Sequence, residues 1–112
     1  MNGRAEGSAA QTPLTCREVV QVLRDVVFGR LEMTRAGERS WHEMNAGLFL
    51  VHVGSWTLAI HNDAEEIDYC QWCLDPSGRR WSFDSSSRLG GDPIELLSTW
   101  EHSELQRILK AL

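Results

Sequence analysis

The chain has 112 residues, a formal net charge of −5 and 42% hydrophobic residues, with five tryptophans and three cysteines. That length fits one domain and buries roughly two-thirds of its unfolded surface. The acidic balance works against phosphate backbones and anionic membrane surfaces, and no run nears the ~20 apolar residues of a membrane span.

Residues 1–12 hold small and polar residues without periodicity and read as a flexible arm, leaving residues 13–112 as a single domain. The arm lacks the apolar centre of a secretory signal, so a cytoplasmic location is expected. The odd cysteine count fits reduced thiols better than a disulfide framework.

Thr15-Cys16-Arg17-Glu18 has the form of a capping box, a hydroxyl followed three residues later by a carboxylate. Behind it, Cys16, Val19, Val20, Leu23, Val26 and Val27 share one helix face. Gly29 suits the end of that helix. Residues 30–40 are polar and read as a loop, and Trp41 to Ala46 as a candidate short strand.

The period then changes to two. Strands are predicted over Leu48–Val53, Trp56–His61, Ile67–Leu74 and Arg79–Asp84, with Trp81 and Phe83 on one face of the last. Gly54-Ser55, Asn62-Asp63-Ala64 and Asp75-Pro76-Ser77-Gly78 supply short turns, which make antiparallel neighbours. Ser85 to Gly91 reads as a loop. Asp92-Pro93-Ile94-Glu95 opens a helix, and Ser98-Thr99-Trp100-Glu101 is a second capping box. Leu105, Ile108, Leu109 and Leu112 stripe the last helix. The predicted fold is α+β: a four-stranded antiparallel meander with the N-terminal and C-terminal helices packed on one face, in the order α-β-β-β-β-α.

Three pieces carry a resemblance: Leu14-Thr15-Cys16-Arg17-Glu18-Val19; Asp68-Tyr69-Cys70-Gln71-Trp72-Cys73 with Pro76-Ser77-Gly78-Arg79; and the run Asp92 to His102. The chain resembles, from residue 14 onward, a family of short uncharacterised pseudomonad proteins, a domain of unknown function. The resemblance implies a bacterial, cytoplasmic protein. It carries no activity and no site residue.

Cys70 and Cys73 have the spacing of half a zinc site. Zinc needs two further ligands, and Cys16, His42, His52, His61 and His102 offer no second pair. In a straight strand, positions i and i+3 point to opposite faces, so the two sulfurs are expected to diverge. No helix signal follows Cys73, as a thioredoxin-like site would require. A bulge or turn at Gln71-Trp72 would restore a shared site. Structural thiols are therefore the main expectation, and a small metal or thiol-redox sensor using Cys70 and Cys73 the alternative.

The tryptophans fill a small core or form a recognition face. Alternation puts Trp72 with Asp68, Cys70 and Leu74, and Ile67 with Tyr69 on the other side. Asp63, Glu65, Glu66 and Asp68 make an acidic run, read as a solvated edge or a docking patch. No Gly-x-Ser-x-Gly, phosphate-cradling loop or His-Glu-x-x-His occurs. The expected function is a non-enzymatic interaction module, without cofactor, that binds another macromolecule through the Trp-rich sheet face or an exposed strand edge. Its candidate contact residues are Trp72, Trp81, Tyr69, Asp68 and Glu66. The expected partner is a protein of unknown identity, or a second copy in a homodimer, with no nucleic acid or membrane.

Overall fold

A computed structural model describes residues 12–84 and 91–112. The arm predicted over residues 1–12, apart from Thr12, and residues 85–90 of the predicted loop lie outside the described residues. Helix α1 spans Cys16–Val27, and both bonds of the Thr15–Glu18 capping box are present. Its predicted stripe is buried, with Val19 and Leu23 wholly inaccessible.

Residues 30–40 depart from the predicted loop. Met33–Arg35 forms strand β1, pairing antiparallel with Val51–Val53. The predicted short strand at Trp41 is instead a helical turn, α2, over Trp41–Met44. Ser40 caps it and Glu43 reaches back to the Ser40 N–H, 2.7 Å away. Two otherwise unpaired N–H groups are thereby satisfied at once, which favours the helical turn over an extended path.

Strands β2 (Ala46–Val53), β3 (Trp56–Asp63), β4 (Glu66–Leu74) and β5 (Arg80–Ser82) follow. The sheet has five strands in the order β1-β2-β3-β4-β5, all antiparallel, where four were predicted. The meander itself is as predicted, because each connection is too short for a crossover. After residue 91, Asp92 caps a 3₁₀ turn over Pro93–Leu96, not a full helix. Leu97 is extended, and Ser98 starts helix α3 over Thr99–Ala111 with a second complete capping box.

One core joins the helices to one face of the sheet. Val19 and Leu23 of α1, Leu105 and Leu109 of α3, and Leu58 and Ile60 of β3 are all buried in it. Each such side chain contributes roughly 1.5–3 kcal/mol by leaving water. Arg24 of α1 reaches Glu101 of α3 at 3.1 Å and ties the two helices together.

A polar clamp fixes the corner beside α2. Buried Asn62 donates to the Trp41 carbonyl at 3.0 Å and accepts from the Glu65 N–H at 2.7 Å. The Trp41 indole N–H donates to the Glu65 carbonyl at 2.8 Å. These bonds hold the β3–β4 turn with Ala64 at φ 53° and Glu65 at φ 71°, a conformation that side chains with a Cβ disfavour.

Candidate functional site

Strand β4 decides which residues meet. Its register against β3 slips twice: Ala59 faces Trp72 while Ile60 faces Cys70, and His61 faces Tyr69 while Asn62 faces Ile67. Gln71 and Asp68 are the extra residues at these two bulges. Each bulge inserts one residue and resets the alternation. The inward set therefore becomes Ile67, Cys70 and Cys73, all buried against the helices. The outward set becomes Glu66, Tyr69, Trp72 and Leu74.

This corrects the prediction that Cys70 and Cys73 point to opposite faces. A straight strand would separate them; the bulge at Gln71 turns both into the core. It also breaks the predicted grouping of Trp72 with Cys70, and puts Trp72 beside Tyr69. Trp81 pairs with Cys73 and packs against the core, away from Trp72. Phe83, predicted to share the face of Trp81, instead meets Tyr69 at 4.8 Å between ring centroids.

The outward face is ordered in cross-strand rows. Leu48, His61 and Tyr69 stand in one row, with Phe83 against Tyr69. The His61 and Tyr69 rings stack at 5.0 Å and 18°. Leu50, Ala59, Trp72 and Ser82 form the next row, and His52, Thr57, Leu74 and Arg80 the third. The Arg80 guanidinium lies over the Trp72 ring at 4.9 Å, a cation–π contact between neighbouring strands. Leu48, Leu50 and Leu74 are 40%, 39% and 38% exposed. These aliphatic side chains would be buried if a further layer covered them.

An acidic cleft lies at one end of this face. It measures about 290 Å³, and Asp68, Tyr69, Phe83, Asp84, Asp92 and Glu95 line it. Asp68 lies 3.2 Å from the His61 ring nitrogen Nδ1. Asp92 is almost wholly buried, and desolvation raises its carboxyl pKa, helped by the nearby charges of Glu95 and Asp68. Its Oδ1 accepts from the N–H groups of Cys70 at 3.0 Å and Ile94 at 3.2 Å, which favour the charged form.

The same bond closes part of a sheet edge. Beyond its pairing with β5, strand β4 turns the Cys70 and Ile67 N–H groups away from β3. Asp92 takes the first, and Gln106 of α3 takes the second at 3.0 Å. Gln106 also donates to Glu66 at 3.2 Å. Glu66 is thus held at the edge beside α3, apart from the Tyr69–Trp72 rows. Of the five candidate contact residues, Tyr69, Trp72 and Asp68 are brought together, and Trp81 and Glu66 are not.

The thiols sit in a different environment. Cys16, Cys70 and Cys73 are all buried and unpaired. Burial pushes the Cys73 thiol up to about 12, with the Asp75 charge adding to it. Burial raises Cys70 well above its ordinary value, followed by the effects of Cys73, Asp92 and Cys16, and raises Cys16 with help from Asp92. Such thiols carry little thiolate near neutral pH and are poor nucleophiles. Among the described residues, no group of three or more His, Cys, Asp or Glu side chains is placed to hold a metal ion.

One surface feature lay outside the predicted candidates. Trp100 is 57% exposed and stacks on Phe28, itself 50% exposed, with centroids 5.8 Å apart. The pair sits on the helical side of the molecule, at the start of α3 and the end of α1. The signal was available: Trp100 falls off the Leu105–Leu109 stripe, two positions past the Ser98 cap.

The chain belongs to the family described as Domain of unknown function (DUF7693), which matches residues 13–111. No curated protein and no solved structure matches the chain. No helix among the described residues is long and apolar enough to cross a membrane.

Proposed function

We propose that this protein is a non-enzymatic binding module that docks another protein on its uncovered sheet face, around Trp72 and Tyr69. A single observation carries the proposal: the helices cover one face of a five-stranded sheet, while the other presents Leu48, Leu50, Tyr69, Trp72 and Leu74 in adjoining rows. Flat aromatic side chains beside aliphatic ones are the usual composition of an energetic contact centre. Arg80 orders the indole in advance, which lowers the entropy lost on binding. The face is preferred to the edge because Asp92 and Gln106 occupy two edge N–H groups of β4, and β1 and β5 are only three residues each.

The resemblance to pseudomonad proteins and the odd cysteine count support a bacterial, cytoplasmic setting as part of the same proposal. The test is capture from a bacterial lysate by wild type, Trp72→Ala and Trp100→Ala protein. A partner kept by Trp100→Ala and lost by Trp72→Ala supports the sheet face. The same captured proteins with wild type and Trp72→Ala would count against it.

A thiol or metal sensor is the second reading, because the Gln71 bulge brings Cys70 and Cys73 to one side. Burial of both sulfurs and their raised pKa values work against it. Zinc retained by purified wild type and lost on Cys73→Ser would favour the sensor.

A further inference from the structure

We infer that the occupant of the uncovered face is a second copy of this chain, packed sheet to sheet about a two-fold axis that runs across the strands. This rests on the docking role of that face proposed above and names its partner.

Charge is distributed unevenly along the strands of the face. At one end of the rows, Arg80 touches the Trp72 ring and the Ser82 Oγ at 3.2 Å, and no carboxylate among the described residues pairs with it. At the other end, Asp63 stands in register with Ala46 and Glu66. Alternation from buried Asn62 turns it to the uncovered side, where it is exposed and has no ion-pair partner among the described residues. Asp68 lies toward the same end, 3.2 Å from the His61 ring. Leu48, Leu50, Tyr69, Trp72 and Leu74 fill the middle.

A two-fold contact repeats every pairing, so the face must complement itself. With the axis across the strands, the Arg80 end of each copy comes over the Asp63–Asp68 end of the other, and the Trp72 row meets the Tyr69 row. With the axis along the strands, the carboxylate ends would meet each other. The charges therefore select the first orientation, and sheets stack face to face in this way at about 10 Å. A uniformly basic or acidic partner would satisfy one end and be repelled at the other, whereas a second copy carries both signs at the required spacing. The net charge of −5 opposes self-association at long range. Glu18, Asp25, Glu101 and Glu104, however, belong to the helices behind the sheet, and each already holds an arginine. Screening beyond about 8 Å at physiological salt leaves the close pairs across the face to decide.

Sedimentation velocity of the purified chain over a range of concentrations tests the inference. Wild type is expected to dimerise with a Kd of about 10 µM or tighter. Trp72→Ala and Arg80→Glu should each weaken the dimer about tenfold, as should Asp63→Arg with Asp68→Arg. Trp100→Ala, on the helical side, should change it less than about twofold. An equimolar mixture of the Arg80→Glu and the Asp63→Arg, Asp68→Arg chains should recover to within about threefold of wild type, because opposite ends then meet again. Thermal unfolding checks that each variant is folded, and Asp63→Arg alone serves where the double variant is not. A chain that stays monomeric overturns the second copy, and the docking face is then judged by the lysate capture alone. A dimer broken by Trp100→Ala and kept by Trp72→Ala overturns the inference too, by moving the contact to the helices. Folded variants whose mixture does not recover overturn the charge pairing, and with it the inference.

Discussion

The two faces of the sheet are built from the same strands under different rules. On the covered face, every position is fixed by the helices: Leu58, Ile60, Cys70 and Cys73 are inaccessible. On the other, Trp72, Tyr69 and Leu74 are placed by cross-strand neighbours and one guanidinium, and water reaches all three. Strand β4 serves both faces only because its bulges deliver a three-residue inward period. Without them Cys70 and Trp72 would share a face, and either a large ring would enter the core or a thiol would leave it.

This contrast can be broken by substitution. Leu58→Ala is expected to cost about 3 kcal/mol in denaturant unfolding, since it opens a cavity among fixed neighbours. Trp81→Ala should cost about 2 kcal/mol, because the indole packs against the core. If Trp81 belonged to the docking face instead, that variant would lose partner capture at nearly unchanged stability. Trp72→Ala should cost about 1 kcal/mol while removing partner capture, the reverse pattern.

The covered face is also expected to respond to alkali. The Cys73 thiol ionises near 12 in the folded chain against an ordinary value of 9.0. The neutral form is therefore favoured by folding. Its contribution is fully present below about pH 9 and is lost as pH rises through about 12, at up to about 1.4 kcal/mol per pH unit. Cys73→Ala should make this limb of the pH–stability curve shallower, with Cys70 and Cys16 supplying the remainder. The smallest expected change lies at the corner outside both faces: Ala64→Gly should stabilise by about 0.5 kcal/mol, by relieving the positive φ. A loss of stability there would mean that the turn needs its side chain.

Much of this was legible in the residues. The Thr15 and Ser98 capping boxes located both long helices, and the Gly54 and Gly78 turns set the meander. Ser40-Trp41-His42-Glu43 has the same capping form, a signal that the expected strand over Trp41 to Ala46 missed. Strand β1 could not be read, because Met33-Thr34-Arg35 has no pattern of its own and is ordered by its pairing with β2. The bulges were written as a three-residue spacing of Ile67, Cys70 and Cys73, a period that fits neither a regular strand nor a helix. Assuming a straight strand therefore grouped Trp72 with Leu74, which holds, but also with Cys70, where the bulge puts Tyr69 instead. The acidic cleft joins β4 and β5 to the 3₁₀ turn across more than twenty residues of sequence, a closeness that no local pattern encodes.

Asp92 and Gln106 act as stoppers on the rim of β4, and they limit how any visitor can approach. A strand offered alongside would find two of the rungs it needs already taken, so the sheet resists lengthening into a fibre or a swapped pair at that border. At that border a visitor is left with side chains rather than backbone rungs to contact. An inhibitor shaped as an added strand should fail where a compact, ring-bearing one succeeds.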